Sequence, residues 1–192
     1  DVERSRGLGD VYKRQDYYFF NLSNRDNYYY KRVYTGCMRA IDFIYTLPQF
    51  NGTLGTFGGS QGGALSLITA GLDKRVKAVV SFYPALCDLA GYTKNRAGGW
   101  PHIFKENGNQ TPKKLQVASY YDTVNFARQI TVPVFCSFGY NDMTCPPTTT
   151  YSAYNVINSP KELFIAENTS HYTYPEQMDI AWKWITKQLT DK

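Results

Sequence analysis

The stretch TFGGSQGGALSLITAG, from Thr56 to Gly71, sets four glycines around one serine and one glutamine before it turns apolar. Gly58-Gly59-Ser60-Gln61-Gly62 fits G-x-S-x-G, with a short strand pattern before it and a helical one after. That arrangement suits a nucleophile. A sharp strand-to-helix turn forces the serine into a strained backbone, and side chains at Gly58 and Gly62 are expected to collide there. The helix that follows points free N–H groups and its positive dipole end at the hydroxyl, and the backbone N–H of Gln61 is placed to meet an oxyanion.

A serine hydroxyl needs a base to ionise at neutral pH, and the base needs a carboxylate to hold its tautomer. Where such a serine follows a strand in an open α/β sheet, the acid and then the histidine come later in the chain, each on a loop after a strand. Of the two histidines, His171 follows ELFIAENTS and precedes a final helix, whereas His102 lies in WPHIF, away from any strand end. Asp142 directly follows the strand-like FCSFGYN. Asp122 is the runner-up for the acid, but its place before a helix suggests a cap. Glu167 is too near His171 in sequence to be the preferred orienting group. With His171 as base, activity is expected to fall below about pH 6 to 7, where imidazole takes up a proton.

Two other readings of the glycine-rich turn compete. Such turns bind phosphates, but the P-loop lysine is absent and G-x-G-x-x-G does not match. The serine could also merely cap its helix. Three residue types in the expected order, on three loops that follow strands, favour the nucleophile.

Strand and helix alternate along the rest of the chain, which predicts a mainly parallel α/β sheet with flanking helices. Val33, Cys37, Ala40, Ile41 and Ile44 recur at helical spacing until Pro48. SQGGALSLITAGL reads as a buried helix, VKAVVSFYP as a strand, SYYDTVNFARQI as a helix capped by Asp122, VPVFCSFGY as a buried strand, TTTYSAYNVI as a helix and KELFIAE as a strand. The last helix carries Met178, Ala181, Trp182, Ile185 and Leu189 as a core-facing stripe. Residues 88–118 are polar and glycine-rich, and read as a cap-like excursion of loops and short helices rather than core.

The 192 residues are 43% hydrophobic, enough for one domain with a real core. Seventeen tyrosines fit either sugar handling or thick aromatic packing. The net charge of +5 is dispersed, so no nucleic-acid partner is indicated. Four cysteines without CxxC spacing and two histidines give neither a disulfide scaffold nor a zinc cage, and no cofactor is called for. No run is apolar enough to span a membrane, and the compartment is left open. DVYKRQ, from Asp10 to Gln15, is what GATGTGTATAAGAGACAG encodes, a transposon end used in sequencing adapters. Residues 1–15 are therefore expected to be a read-through scar ahead of a domain over 16–192, with an ordinary basic tail as the alternative.

GGSQGGALSL, GYNDMTCPP and NTSHYTYPEQ resemble the acetyl xylan esterase and cephalosporin-C deacetylase family, carbohydrate esterase family seven, from about Asp16 to the C-terminus. The resemblance implies an α/β-hydrolase fold with Ser60 as nucleophile, Asp142 as acid, His171 as base and Gln61 as oxyanion donor. It also implies release of acetate from sugar hydroxyls, no metal, and a ring-like homo-hexamer. That family's sheet has several strands before the nucleophile, and its second oxyanion donor lies on a tyrosine loop there; nothing in this sequence matches either. The missing donor is expected to cost roughly 2–4 kcal/mol of transition-state stabilisation. The strand ending at Ser60 then becomes an exposed apolar edge prone to aggregation. Hence an active full-length esterase is expected, but a weak or inactive 192-residue piece.

Tyr92, Trp100 and Phe104 are placed to border the site, either stacking on sugar rings or anchoring their loop, the second being favoured. Two rival functions share the pattern: a serine peptidase of prolyl oligopeptidase type, and a non-catalytic carbohydrate-binding domain with a degenerate hydrolase fold.

Overall fold

The computed structural model describes residues 17–190; the suspected adapter segment, 1–15, lies outside them. Four parallel strands form one sheet in the order β1-β2-β3-β4: Leu54–Gly59, Val76–Phe82, Val134–Gly139 and Lys161–Ala166. The helices are α1 (Tyr29–Ile44), α2 (Gln61–Leu72), α3 (Pro112–Ser119), α4 (Thr123–Ala127), α5 (Pro147–Tyr154) and α6 (Pro175–Thr190). Each parallel pair needs a helical crossover, so the strand–helix alternation read from sequence becomes a three-layer sandwich.

Successive residues of a strand face opposite sides. Val79, Val134 and Cys136 join a core with Leu67 and Ala70 of α2, Ala127 of α4 and Ala153 of α5. Ala78, Val80 and Phe135 face the other way, onto Ala181 and Ile185 of α6. Being covered on both sides, β2 and β3 are nearly continuous apolar runs. β1 ends the sheet among the described residues and is only half-buried along its length.

α1 forms where the helical spacing predicts it, with its buried face carried by Tyr30, Tyr34 and Ile41, while Val33 and Cys37 are half-buried and Ala40 is exposed; three other expectations need correction. Aromatic side chains are long enough to reach a core lying away from the sheet, where Tyr28, Tyr30, Tyr34 and Tyr121 pack ring to ring. Residues 88–118 are not outside the core, since Leu89, Ile103, Phe104, Val117 and Ala118 are buried with those tyrosines. SYYDTVNFARQI is not one helix: α3 ends at Ser119, and Asp122 caps the separate α4 by accepting from the Val124 N–H. Trp182 is 54% exposed rather than core-facing, and its ring stacks on Phe57 of the outer strand at 4.6 Å.

Candidate active site

The carboxyl ends of the strands lie level with one another. Gly59 pairs with Phe82, Phe82 with Ser137, and Gly139 with Ala166. The loops leaving β1, β3 and β4 therefore open on the same edge of the sheet, where ligands of open α/β sheets bind. Ser60 follows β1, Asp142 follows β3 and His171 follows β4.

Ser60 has φ 56° and ψ −121°, a strained conformation for a residue with a side chain. Its N–H donates to the Phe82 carbonyl at 2.9 Å, which fixes the turn to β2. Steric pressure explains the glycines selectively. A Cβ at Gly58 would run into the Gly62 main chain, and one at Gly63 would stand 2.6 Å from the Phe82 carbonyl oxygen. At Gly62 a Cβ would meet nothing within 4 Å, so the collision expected there does not occur. Gly62 matters through its main chain, against which Gly58 packs, and Gly63 is the tight position the motif reading left out.

The Ser60 side chain makes no capping bond to α2. Its Oγ lies 2.9 Å from His171 Nε2, and His171 Nδ1 lies 2.8 Å from Asp142 Oδ2. The other carboxylate oxygen, Oδ1, accepts from the Thr144 N–H at 2.8 Å and the Cys145 N–H at 2.9 Å. An ionised carboxylate only accepts, so Nδ1 carries the ring proton and leaves the Nε2 lone pair towards the serine. Asp142 is buried, and His171 is partly open to solvent.

The acid and histidine loops are stitched together. The Asn141 N–H donates to the Thr169 carbonyl at 2.9 Å, and Gly139 sits so close to Thr169 and Ser170 that a Cβ would overlap them. The far end of the histidine loop is held by buried Gln177, which donates to Ser137 Oγ and accepts from the Tyr174 N–H. Gln61 opens α2, so its backbone N–H belongs to the first turn, which has no carbonyl partner within the helix. Its side-chain Oε1 accepts from the Tyr17 hydroxyl at 3.3 Å.

The other candidates fall elsewhere. Asp122 is buried and accepts from the N–H groups of Asp88, Leu89 and Val124, tying the excursion to α4; burial raises its pKa to about 6 against the pull of those donors. The Glu167 side chain is exposed. His102 Nδ1 lies 2.9 Å from the Tyr92 hydroxyl and 3.1 Å from the Gly98 carbonyl, and burial draws its pKa below the ordinary histidine value. Phe104 is wholly buried, Trp100 packs edge-on against Tyr18, and Tyr92 holds His102, so these aromatics anchor the excursion.

Sequence reasoning missed Tyr83, whose ring lies against the imidazole, and Thr173, which pairs with the Tyr83 hydroxyl. The proline after Tyr83 marks a strand end, but no spacing rule points from there to His171. Burial pushes the Cys145 thiol up to about 12. It stays protonated there. No group of three or more His, Cys, Asp or Glu side chains among the described residues could hold a metal ion.

A parallel sheet with helices on both faces and a strained serine at a strand-to-helix turn defines an α/β-hydrolase-type protein. Residues 18–188 match the acetyl xylan esterase (AXE1) family, and the chain belongs to it. It is 48% identical over 189 residues to acetyl esterase Axe7A of Xylanibacter ruminicola, an alignment covering 97% of this chain and 43% of that protein. Among solved structures, it is similar to an acetyl xylan esterase from Paenibacillus sp. R4, with TM-score 0.77, 31% identity, and 86% and 55% of the two chains covered. Acetyl xylan esterase 1 from Thermoanaerobacterium sp. JW/SL YS485 gives TM-score 0.76 and 27% identity over 87% and 56%. The chain thus spans about half the length of these relatives.

Proposed function

We propose that this chain carries the catalytic triad of a carboxylic-ester hydrolase that removes acetyl groups from acetylated xylan or xylo-oligosaccharides. The observation that carries the reading is the unbroken relay from Ser60 Oγ through His171 to Asp142, at 2.9 and 2.8 Å. In the first half-reaction His171 Nε2 takes the hydroxyl proton as Ser60 Oγ attacks the acetyl carbonyl. The oxygen that gains charge faces the backbone N–H of Gln61, and Asp142 stabilises the imidazolium. Collapse of the tetrahedral species expels the sugar oxygen, which leaves with the proton from His171. Water then gives its proton to the same nitrogen, attacks the acyl-serine, and acetate departs with Ser60 restored.

The acetyl group and the sugar alcohol follow from the names of the relatives, and cephalosporin C is a further candidate ester. We extend the same reading to a homo-hexameric full-length protein, on the family resemblance. The 192-residue chain alone is proposed to be weak or inactive, because only one oxyanion donor, Gln61, is assigned in it. p-Nitrophenyl acetate and acetylated xylan, each with the Ser60→Ala variant as control, test these statements. Acetate release that survives in Ser60→Ala overturns the nucleophile. Rapid, Ser60-dependent turnover by the chain alone overturns only its proposed weakness.

A further inference from the structure

Tyr83 directly follows β2 and has φ 33°, a backbone conformation that bulky residues rarely adopt. The acyl-transfer relay makes no use of it. Yet the unusual backbone turns its half-buried ring towards the site, where it lies against the His171 imidazole with ring centroids 4.5 Å apart and planes at 52°. Its hydroxyl is 2.7 Å from Thr173 Oγ1, two residues beyond His171 on the same loop. Room for the ring comes from Gly59, where a Cβ would stand 3.1 Å from it. The Tyr83 N–H donates to the Ser137 carbonyl of β3, which anchors the residue to the middle of the sheet.

These contacts supply a restraint that the relay lacks. The bonds from Nδ1 to Asp142 and from Nε2 to Ser60 leave the ring at its two ends. Neither resists rotation of the imidazole about the axis joining them. A ring packed against it does, and the bond to Thr173 fixes the stretch of loop from which the imidazole hangs. A tyrosine that merely filled space would need neither a left-handed backbone nor a polar partner on the histidine loop.

We propose that Tyr83, acting with Thr173, is a positioning residue that sets the tilt of the His171 imidazole between Asp142 and Ser60. The proposal rests on the reading of Ser60 and His171 as nucleophile and base. Tyr83→Phe keeps the ring and removes the bond to Thr173; Thr173→Val removes it from the other side; Thr173→Ser keeps the hydroxyl.

Two readouts on the 192-residue chain separate the outcomes. One is Ser60 labelling by a fluorophosphonate, resolved into a saturating rate and a half-saturating concentration. The other is the set of His171 ring signals in proton–nitrogen NMR. Tyr83→Phe and Thr173→Val are each expected to lower the saturating rate about 3- to 10-fold, the worth of one net hydrogen bond, without moving half-saturation. The double variant should be no slower than either single one, Thr173→Ser should recover most of the loss, and the His171 signals should shift in both slow variants. Labelling that persists at the wild-type rate with unmoved His171 signals overturns the positioning role and leaves the nucleophile reading intact. Where Ser60 does not label in the 192-residue chain, the His171 signals alone decide: a shift in both variants supports the positioning, and unmoved signals overturn it.

Discussion

Asp142 Oδ2 and His171 Nδ1 stand 2.8 Å apart while the remaining carboxylate oxygen is pinned by two backbone N–H groups of its own loop. The carboxylate cannot turn without giving up both, so the ring proton has one place to be. In Asp142→Asn, Oδ1 can still accept from Thr144 and Cys145, and the amide then presents N–H groups to Nδ1. That forces the other tautomer and points an N–H at Ser60. Fluorophosphonate labelling of Ser60 is expected to slow by on the order of 10³- to 10⁴-fold with little change in melting temperature. Labelling within tenfold of wild type would refute the assigned role of Asp142.

The two glycines of the pentapeptide motif should respond in opposite ways to a methyl group. Gly58→Ala drives a Cβ into the Gly62 main chain, and neither backbone can retreat without moving the turn. A loss of about 1–3 kcal/mol in urea unfolding is expected. Gly62→Ala meets open space inside α2 and gains helix propensity, so stability should hold or rise by roughly 0.5–1 kcal/mol. Equal losses at both positions would contradict the asymmetry.

Ser60, Asp142 and His171 were legible because each is a polar residue on a loop that leaves an apolar, strand-like run, and parallel strands bring such ends together. What sequence hid was geometry without a residue-type signature. The positive φ that aims Tyr83 at His171 is written in no spacing, and no motif links Thr173 to Tyr83 across ninety residues. Weighting aliphatic residues concealed the tyrosine face of α1. The charged and glycine-rich composition of residues 88–118 masked Leu89, Ile103 and Phe104. Trp182 fits the helical stripe of α6, but its ring stacks on Phe57 of the outer strand and stays exposed rather than entering a closed core.

The thiols divide by burial. Cys87, Cys136 and Cys145 are buried, with Cys136 and Cys145 pushed up to about 12 and Cys87 well above the ordinary thiol range, burial being the first cause in each. Cys37 is half-buried on α1. Since the thiolate is the reactive form, Ellman's reagent should modify Cys37 alone in the native chain and all four cysteines in denaturant. Fast native modification of Cys145 would show that its side chain reaches solvent in the native chain.

Gln177 offers a test of how the histidine loop is held. Its amide donates to Ser137 Oγ, whose hydroxyl in turn donates to the Phe164 carbonyl at 2.7 Å, and its carbonyl accepts from the Tyr174 N–H at 3.1 Å. Gln177→Leu keeps the bulk and strips the polar partners, leaving the Tyr174 N–H unpaired. A loss of about 1–3 kcal/mol in urea unfolding is expected, together with faster amide exchange in residues 167–174. Unchanged exchange there would mean that the contacts to Asn141 and Gly139 suffice to hold the loop.

Asp122 makes stability depend on pH in a direction opposite to that of an ordinary paired carboxylate. Burial raises its folded-state pKa from 3.8 to about 6, although three N–H donors favour the charged form. Between these two values the folded chain binds the proton that the unfolded chain has released, so unfolding free energy falls as pH rises. The contribution is fully present below about pH 4 and is lost as pH passes through about 6, a change of about 3 kcal/mol. Asp122→Asn cannot titrate, so it removes this pH dependence and serves as the reference. Urea melts from pH 4 to 7 should therefore show wild-type stability falling relative to Asp122→Asn by about that amount. Relative stability that rises with pH instead would mean that the donors outweigh burial and hold Asp122 ionised.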